Sequence, residues 1–261
     1  MSKEKQTFDL AIARAEHFLI LYDITKNRRK RSVRSDWSQN FKSCMNWKQS
    51  DTIMRIDGKD SVLILRTPPE GLTSENFEHD FASELLRSAL VASVSALDRY
   101  MHDIVVNRAL QLLNGPKKDV PKKLKNLDLP ISVTFDAMKK LRSDRNSRPG
   151  NQVKKAIQDR RHRQTFQSTS GIDNCAALLG KSGIWSQVGT RMSISMDPDP
   201  PQRELNKIVK RRNQIVHEAD LERKISAKKD TLRKIERKDA AGAIGLISDF
   251  VNAADGIPTA R

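Results

Sequence analysis

At 261 residues the chain is long enough to bury a sizeable core in one large or two small domains, and 48 Lys+Arg against 32 Asp+Glu leave a net charge of +16 at pH 7. That excess is clustered in short runs and favours a polyanionic partner, nucleic acid first, although a basic chain can also be merely soluble and adhesive. Cys44 and Cys175 stand far apart without CxxC spacing, which excludes a disulfide framework and a cysteine zinc site, and no run of apolar residues is long enough for a membrane span. The first residues lack a signal-peptide core, so a soluble, unprocessed, cytoplasmic chain is expected.

Taken in order, Phe8, Ala11, Ile12, Ala15, Phe18, Leu19 and Tyr22 recur at helical spacing and predict a first amphipathic helix from Thr7 to Thr25, with Thr7 as N-cap. Arg28, Arg29, Lys30, Arg31 and Arg34 follow. This run is too charged to be buried and suits either a phosphate backbone or a solvated connector. From Asp51 two β-prone runs flank Asp57-Gly58, predicting a β-hairpin. Trp37 and Trp47 are expected to pack that hairpin against the helices, the alternative being exposed rings that stack on a base. Pro68, Pro69 and Gly71 mark a loop.

The longest periodic segment, Phe77 to Leu113, carries Leu86, Leu90, Val94, Leu97, Met101 and Ile104 on one stripe and predicts a central helix. Ala89, Ala92, Ser93 and Ala96 would let a second helix approach closely. Asp98 and His102, four apart, form either an exposed i,i+4 pair or a site where Asp98 partners Arg212. Gly115-Pro116 ends this helix, and Lys117 to Lys125 read as a basic loop. A short helix from Ser132 to Leu141 and a helical start at Val153 come next, the latter running into a second cationic cluster of Arg160, Arg161, His162 and Arg163. Ile172 to Val188 predicts a helix, a turn at Gly180 and Gly183, and a short helix anchored in the core by Trp185.

Ser195 to Gln202 is proline-rich and acidic and is not expected to be helical. The stretch from Leu205 to Asp220 then places Leu205, Ile208, Val209, Arg212, Ile215, Val216 and Ala219 on one helical stripe. Arg212 thus interrupts an apolar face, a costly position for a guanidinium without an anionic or carbonyl partner. His217 lies about 140° further round, and Asn213 about 40° from the histidine. Leu221 to Arg237 reads as a loop and solvated helix, and a final helix runs through AAGAIGLISDFVNAAD. Residues 1–261 are read as a single helical domain, with a core of about 80–255 preceded by the first helix, basic segment and hairpin.

The chain has no GxxxxGK[ST], HExxH, GxSxG or GxGxxG pattern, so nucleotide-triphosphate and metal chemistry lose ground. What remains is the Arg212-x4-His217 spacing, weak by itself. In context, KRRNQIVHEAD resembles the HEPN superfamily, most closely the RiboL-PSP-HEPN group. LDRYMHDIV (97–105) and TFQSTSGIDNCAALLGKSGIWSQVG (165–189) are similar to the same group, and the resemblance covers roughly residues 80 to 255.

The resemblance implies an all-α HEPN-type bundle with a small β-hairpin elaboration in its N-terminal part. It also implies RNA cleavage by 2′-hydroxyl attack on the adjacent phosphate, with no metal or cofactor, in a homodimer whose arginine-bearing stripes pair around a shared cleft. Within it Arg212 would hold the phosphate, His217 exchange protons, Asn213 orient the imidazole or substrate, and Asp98, His102 and Lys210 assist. Arg28, Arg29, Lys30, Arg31, Arg160, Arg161 and Arg163 would guide RNA. Such proteins are toxins or phage-defence effectors, with an antitoxin or defence-system partner. The alternative is a non-catalytic RNA-binding or partner-binding subunit in which Arg212 is structural and His217 caps its helix.

Overall fold

Phe8, Ile12, Ala15, Leu19 and Tyr22, spaced alternately four and three residues apart, line the buried face of α1 (Lys3–Thr25). This face lies along the long α3 (His79–Leu113), where Ala89, Ser93 and Ala96 among the buried residues let the two helices approach closely. The computed structural model describes residues 2–257 except 60, 117–118, 129, 144–149, 162–164, 193–200 and 223–230. The first helix begins earlier than expected. Ser2, not Thr7, is its N-cap, with Oγ accepting from the Lys5 amide at 3.1 Å and also bonding Asp255, while Thr7 sits inside the helix and donates to the Lys3 carbonyl.

Two more helices complete the main core: α9 (Pro201–His217), through Leu205 and Val209, and α10 (Arg237–Asp255), through Ile244, Ile247, Phe250 and Val251. Burying each such side chain contributes about 1.5–3 kcal/mol, which fixes the helices that carry the site. Tyr100 on α3 reaches Asp255 of α10 at 3.4 Å; burial first, then that carboxylate, pushes its hydroxyl pKa far up. Against this frame pack α7 (Thr169–Leu178) and α8 (Ile184–Arg191), separated by Gly180 and Gly183 at φ +70° and +62°. Trp185 packs against the core while remaining half-buried, its ring resting on Phe250 and its indole N–H donating to Asp173 at 2.7 Å.

Around the far end of α3, Val106, Ala109, Val120, Leu124 and Ile157 form a second apolar cluster. It uses α4 (Lys122–Lys125) and α6 (Gly150–Arg161), beside α5 (Ile131–Ser143). Part of the expected basic loop is therefore a helical turn, started by Pro121. Pro201 and Gln202 likewise belong to α9, because the first position of a helix has no amide bond to lose to proline.

The hairpin forms as expected from β2 (Ile53–Asp57) and β3 (Val62–Arg66), and β1 (Arg29–Arg31) from the basic run adds a third antiparallel strand in the order β1-β2-β3. Met54 and Ile56 pack with Phe77 of a 3-10 turn, Ser74–Phe77. Arg28 corrects the expectation that the basic run stays unburied and reaches for phosphate. It is 6 % exposed, and its guanidinium donates to the carbonyls of Ile24 and Ser61 and, at 2.6 Å, to Ser61 Oγ. Trp37 and Trp47 do not pack the hairpin against the bundle either: α2 (Ser35–Cys44) buries no residue, and the rings cluster with Phe41 at the surface. After α9, β4 (Leu221–Glu222) and β5 (Thr231–Leu232) pair, while 223–230, the middle of the expected loop and solvated helix, lie outside the described residues. Among the described residues no helix is long and apolar enough to cross a membrane.

Candidate active site

Along α9, Leu205 and Val209 are buried, whereas Ile208, Arg212, Asn213 and Ile215 are half-buried, and Val216 and His217 are exposed. The helix thus rises out of the core towards its C-terminal end. Its apolar stripe is occupied by the chain's own core, so it does not present a whole face to a second copy; only the last turns remain open. Ala219, placed on the stripe by periodicity, lies beyond the helix at φ 50°.

Helix α9 stops because its C-terminal end is clamped. Asp220, at φ 56° and buried, donates its amide to the Gln214 carbonyl at 3.0 Å and takes two arginines on its carboxylate. Arg87 Nε of α3 donates at 2.6 Å, and Arg211 makes a bidentate contact, one arm at 2.8 Å. Arg87 Nη1 also donates to Ser83 Oγ at 2.6 Å and Nη2 to the Arg233 carbonyl at 2.8 Å. Arg87 is therefore deeply buried, as Arg28 is, whereas Arg212 is only half-buried. Sequence reading passed over Arg87, although its place one turn before Leu90 on the α3 stripe carried the signal.

Arg212 instead faces a cavity of about 290 Å3 that it shares with Asp98, His102, Gln158, Thr165 and Gln167. Its Nη1 donates to Asn213 Oδ1 at 3.1 Å, and its Nε is buried without a hydrogen-bond partner. Asp98 does not pair with it. One Asp98 oxygen accepts the Phe166 amide at 2.6 Å, and the other lies 3.8 Å from His102 Nε2, the i,i+4 neighbourhood read from the spacing. Phe166 is buried, with its ring centroid 4.7 Å from that of His102. The carboxylate is spent on docking the 165–167 segment against α3, which leaves the guanidinium turned to the cavity.

Arg212, Asp98 and His102 therefore meet, while His217 does not line this cavity and stands exposed at the end of the helix. Lys210 is exposed on α9, and the amide oxygen of Asn213 is taken by Arg212 rather than by a histidine. Arg29, Lys30 and Arg31 are exposed on β1, away from this cavity's wall. The side chains of Arg160 and Arg161, and all of His162 and Arg163, lie outside the described residues.

Gly171 does not line this cavity but packs against the backbone of the 165–167 segment, which lines it through Thr165 and Gln167. A Cβ there would come within 2.8 Å of Phe166 Cα and the Thr165 carbonyl, both backbone atoms, at the start of α7 where Ser168 Oγ caps the Gly171 amide at 3.1 Å. Gly171→Ala should therefore cost about 1–3 kcal/mol by overpacking, read as a lower urea midpoint, and shift the Phe166 and Gln167 resonances. An unchanged midpoint would show that the segment can move away freely.

The model of the RiboL-PSP-HEPN family matches residues 65–253, a span that runs from the end of β3 into α10 and contains every residue of the cavity wall. No curated protein and no solved structure matches the chain. Within the matched span lie the three stretches whose residues pointed to a HEPN bundle, now seen as the middle of α3, the 165–189 segment with α7 and α8, and the end of α9, and by a match over well more than half its length the chain belongs to the RiboL-PSP-HEPN family of the HEPN superfamily, whose domains serve as RNases or RNA binders.

Proposed function

We propose that the protein is an endoribonuclease that cleaves RNA without a metal ion. The observation that carries this reading is the setting of Arg212, a side chain that stays charged at any physiological pH. Its Nε is buried and unpartnered on the wall of a cavity it shares with a histidine and a carboxylate. A phosphodiester oxygen supplies what that group lacks.

In the reaction a neutral imidazole takes the proton of a ribose 2′-hydroxyl as the oxygen attacks the adjacent phosphorus. A second, protonated imidazole gives its proton to the departing 5′-oxygen. The products are a 2′,3′-cyclic phosphate and a 5′-hydroxyl. Arg212 stabilises the charge gathering on the non-bridging oxygens, and Asn213 fixes the guanidinium. His217, exposed at the helix end, is one imidazole. The other is His102 from the same chain, or His217 of a second copy in a homodimer joined at the open last turns of α9. Lys210, exposed on that helix, adds to the attraction for the backbone. The net charge of +16 supports RNA as the target; the family resemblance is what suggests a toxin or phage-defence component held in check by an antitoxin or another member of its system.

The test is incubation with total RNA in EDTA, beside His217→Ala and His102→Ala. Cleavage should survive chelation, leave cyclic-phosphate ends and fall by about 10²–10⁴ when a proton-transfer histidine is removed. RNA left intact by folded wild-type protein favours the non-catalytic RNA-binding reading, to which the separate positions of Arg212 and His217 lend weight.

A further inference from the structure

The segment between α1 and the 3-10 turn departs most from a helical bundle, and most of it precedes the span matched by the family. Strand register decides which of its side chains share a face. Residues opposite each other in an antiparallel pair point the same way. Arg29 and Arg31 therefore stand beside Asp57 and Arg55, and Val62, Ile64 and Arg66 stand beside Asp57, Arg55 and Ile53. The other face carries Met54 and Ile56, buried against Phe77. Four arginines, Arg29, Arg31, Arg55 and Arg66, thus share the outer face. It is open: Arg29 and Arg31 are exposed and Val62 is 48 % accessible. Asp57 engages Arg55 at 2.7 Å and lies 3.9 Å from Arg31, and Asp51 holds Arg66 at 2.7 Å. Among the described residues Arg29 has no acidic partner.

Aromatic rings stand at the margin of this face. The Arg66 guanidinium lies 5.5 Å from the centroid of Trp47, Trp47 meets Phe41 edge-on, and Phe41 stacks on Trp37 at 4.9 Å. All three rings are half-buried, although α2 buries no residue at all. A helix this short with no buried side chain is marginal in water, so keeping rings at this surface needs a reason beyond core packing. Surface rings beside guanidinium groups on an uncovered sheet suit one chemistry well. Bases stack on the rings while the cations take the phosphates, which requires bases that are not already paired.

We propose that the outer face of the three-stranded sheet, with the Trp37–Phe41–Trp47 cluster at its margin, binds unpaired RNA and is a recognition surface separate from the Arg212 cavity. The choice of RNA as the polyanion rests on the nuclease reading above. The test uses the full chain carrying Trp185→Phe and Arg212→Ala, so that fluorescence reports only the other two of its three tryptophans and the probe is not cleaved. Titration with a short oligouridylate should quench that fluorescence saturably. Arg29→Glu with Arg31→Glu, on an exposed edge strand where folding is spared, should weaken binding about tenfold or more, as should raising salt from about 50 to 200 mM. The melting temperature should fall only slightly, since like charges beside Asp57 on an exposed sheet face cost little. A duplex of equal length should quench weakly. Absent quenching, an affinity indifferent to the charge reversals, or a duplex that binds as well overturns the proposal; equal quenching by polyglutamate overturns it in favour of an acidic protein partner. If wild-type protein fails to cleave RNA while quenching persists, the nuclease reading falls and this surface stands.

Discussion

Arg212→Ala is expected to lower RNA cleavage by about 10²–10³, the usual effect of removing one preorganised donor from developing oxyanion charge, and to leave the fold at least as stable. The second half of that expectation separates function from structure. Among the described residues the guanidinium makes a single hydrogen bond, to Asn213, and its Nε is buried with no partner. Removing a group that is desolvated without compensation should relieve up to about 1 kcal/mol rather than cost it. Arg212→Lys retains a charge but not the planar fork, and should recover less than a tenth of the activity. Cleavage rates measured beside urea unfolding decide the matter. A variant that loses stability and activity together would make Arg212 a structural residue, and one that cleaves like wild type would remove it from the chemistry.

The opposite behaviour is expected at Asp220. Its carboxylate, 1 % exposed, is the shared anion of Arg87 and Arg211, and Arg87 is itself only 5 % exposed. Asp220→Ala strands a buried guanidinium and should cost about 3–5 kcal/mol, seen as a large fall in the urea midpoint. Asp220→Asn keeps an acceptor and tolerates the left-handed backbone, so its loss should be smaller. Pairing Asp220→Ala with Arg87→Leu should recover much of the stability, because an apolar pair replaces a broken ionic one. A loss below about 1 kcal/mol for the single variant would show that solvent reaches the cluster. Since Asp220 follows His217 by three residues and holds the end of α9, the variant should also loosen the histidine and slow cleavage even where the protein remains folded.

Much of the architecture could be read from local pattern. The stripes of α1 and α3, the final helix α10, the Asp57-Gly58 hairpin and the Gly180/Gly183 turn were all legible, because periodicity and turn chemistry act over a few residues. The misreadings share a cause. Asp98 was a reasonable carboxylate for Arg212, yet it is bonded to the Phe166 amide 68 residues away, while Asp220 meets Arg87 across 133 residues. Arg28 looked too charged to bury, yet two carbonyls and a serine hydroxyl supplied by folding make its burial tolerable. In the same way, Trp37 and Trp47 are large apolar residues whose composition predicts burial, and only the placement of α2 on the outside left them at the surface.

By itself, then, the sequence determined that α1, α3, α7, α8, α9 and α10 are helices, which faces of α1 and α3 turn inward, and the RiboL-PSP-HEPN resemblance carried by Arg212 to His217, residues 97–105 and residues 165–189. Each is a property of neighbouring residues. The tertiary structure alone decided which charges meet: Asp220 with Arg87 and Arg211, Asp98 with the Phe166 amide, and Arg212 left facing a cavity beside His102. A buried arginine needs an anion, but local pattern does not say which of 32 acidic side chains supplies it. That choice is made when α3, α9 and the 165–167 segment pack against one another, and it is what leaves the Arg212 Nε without a partner.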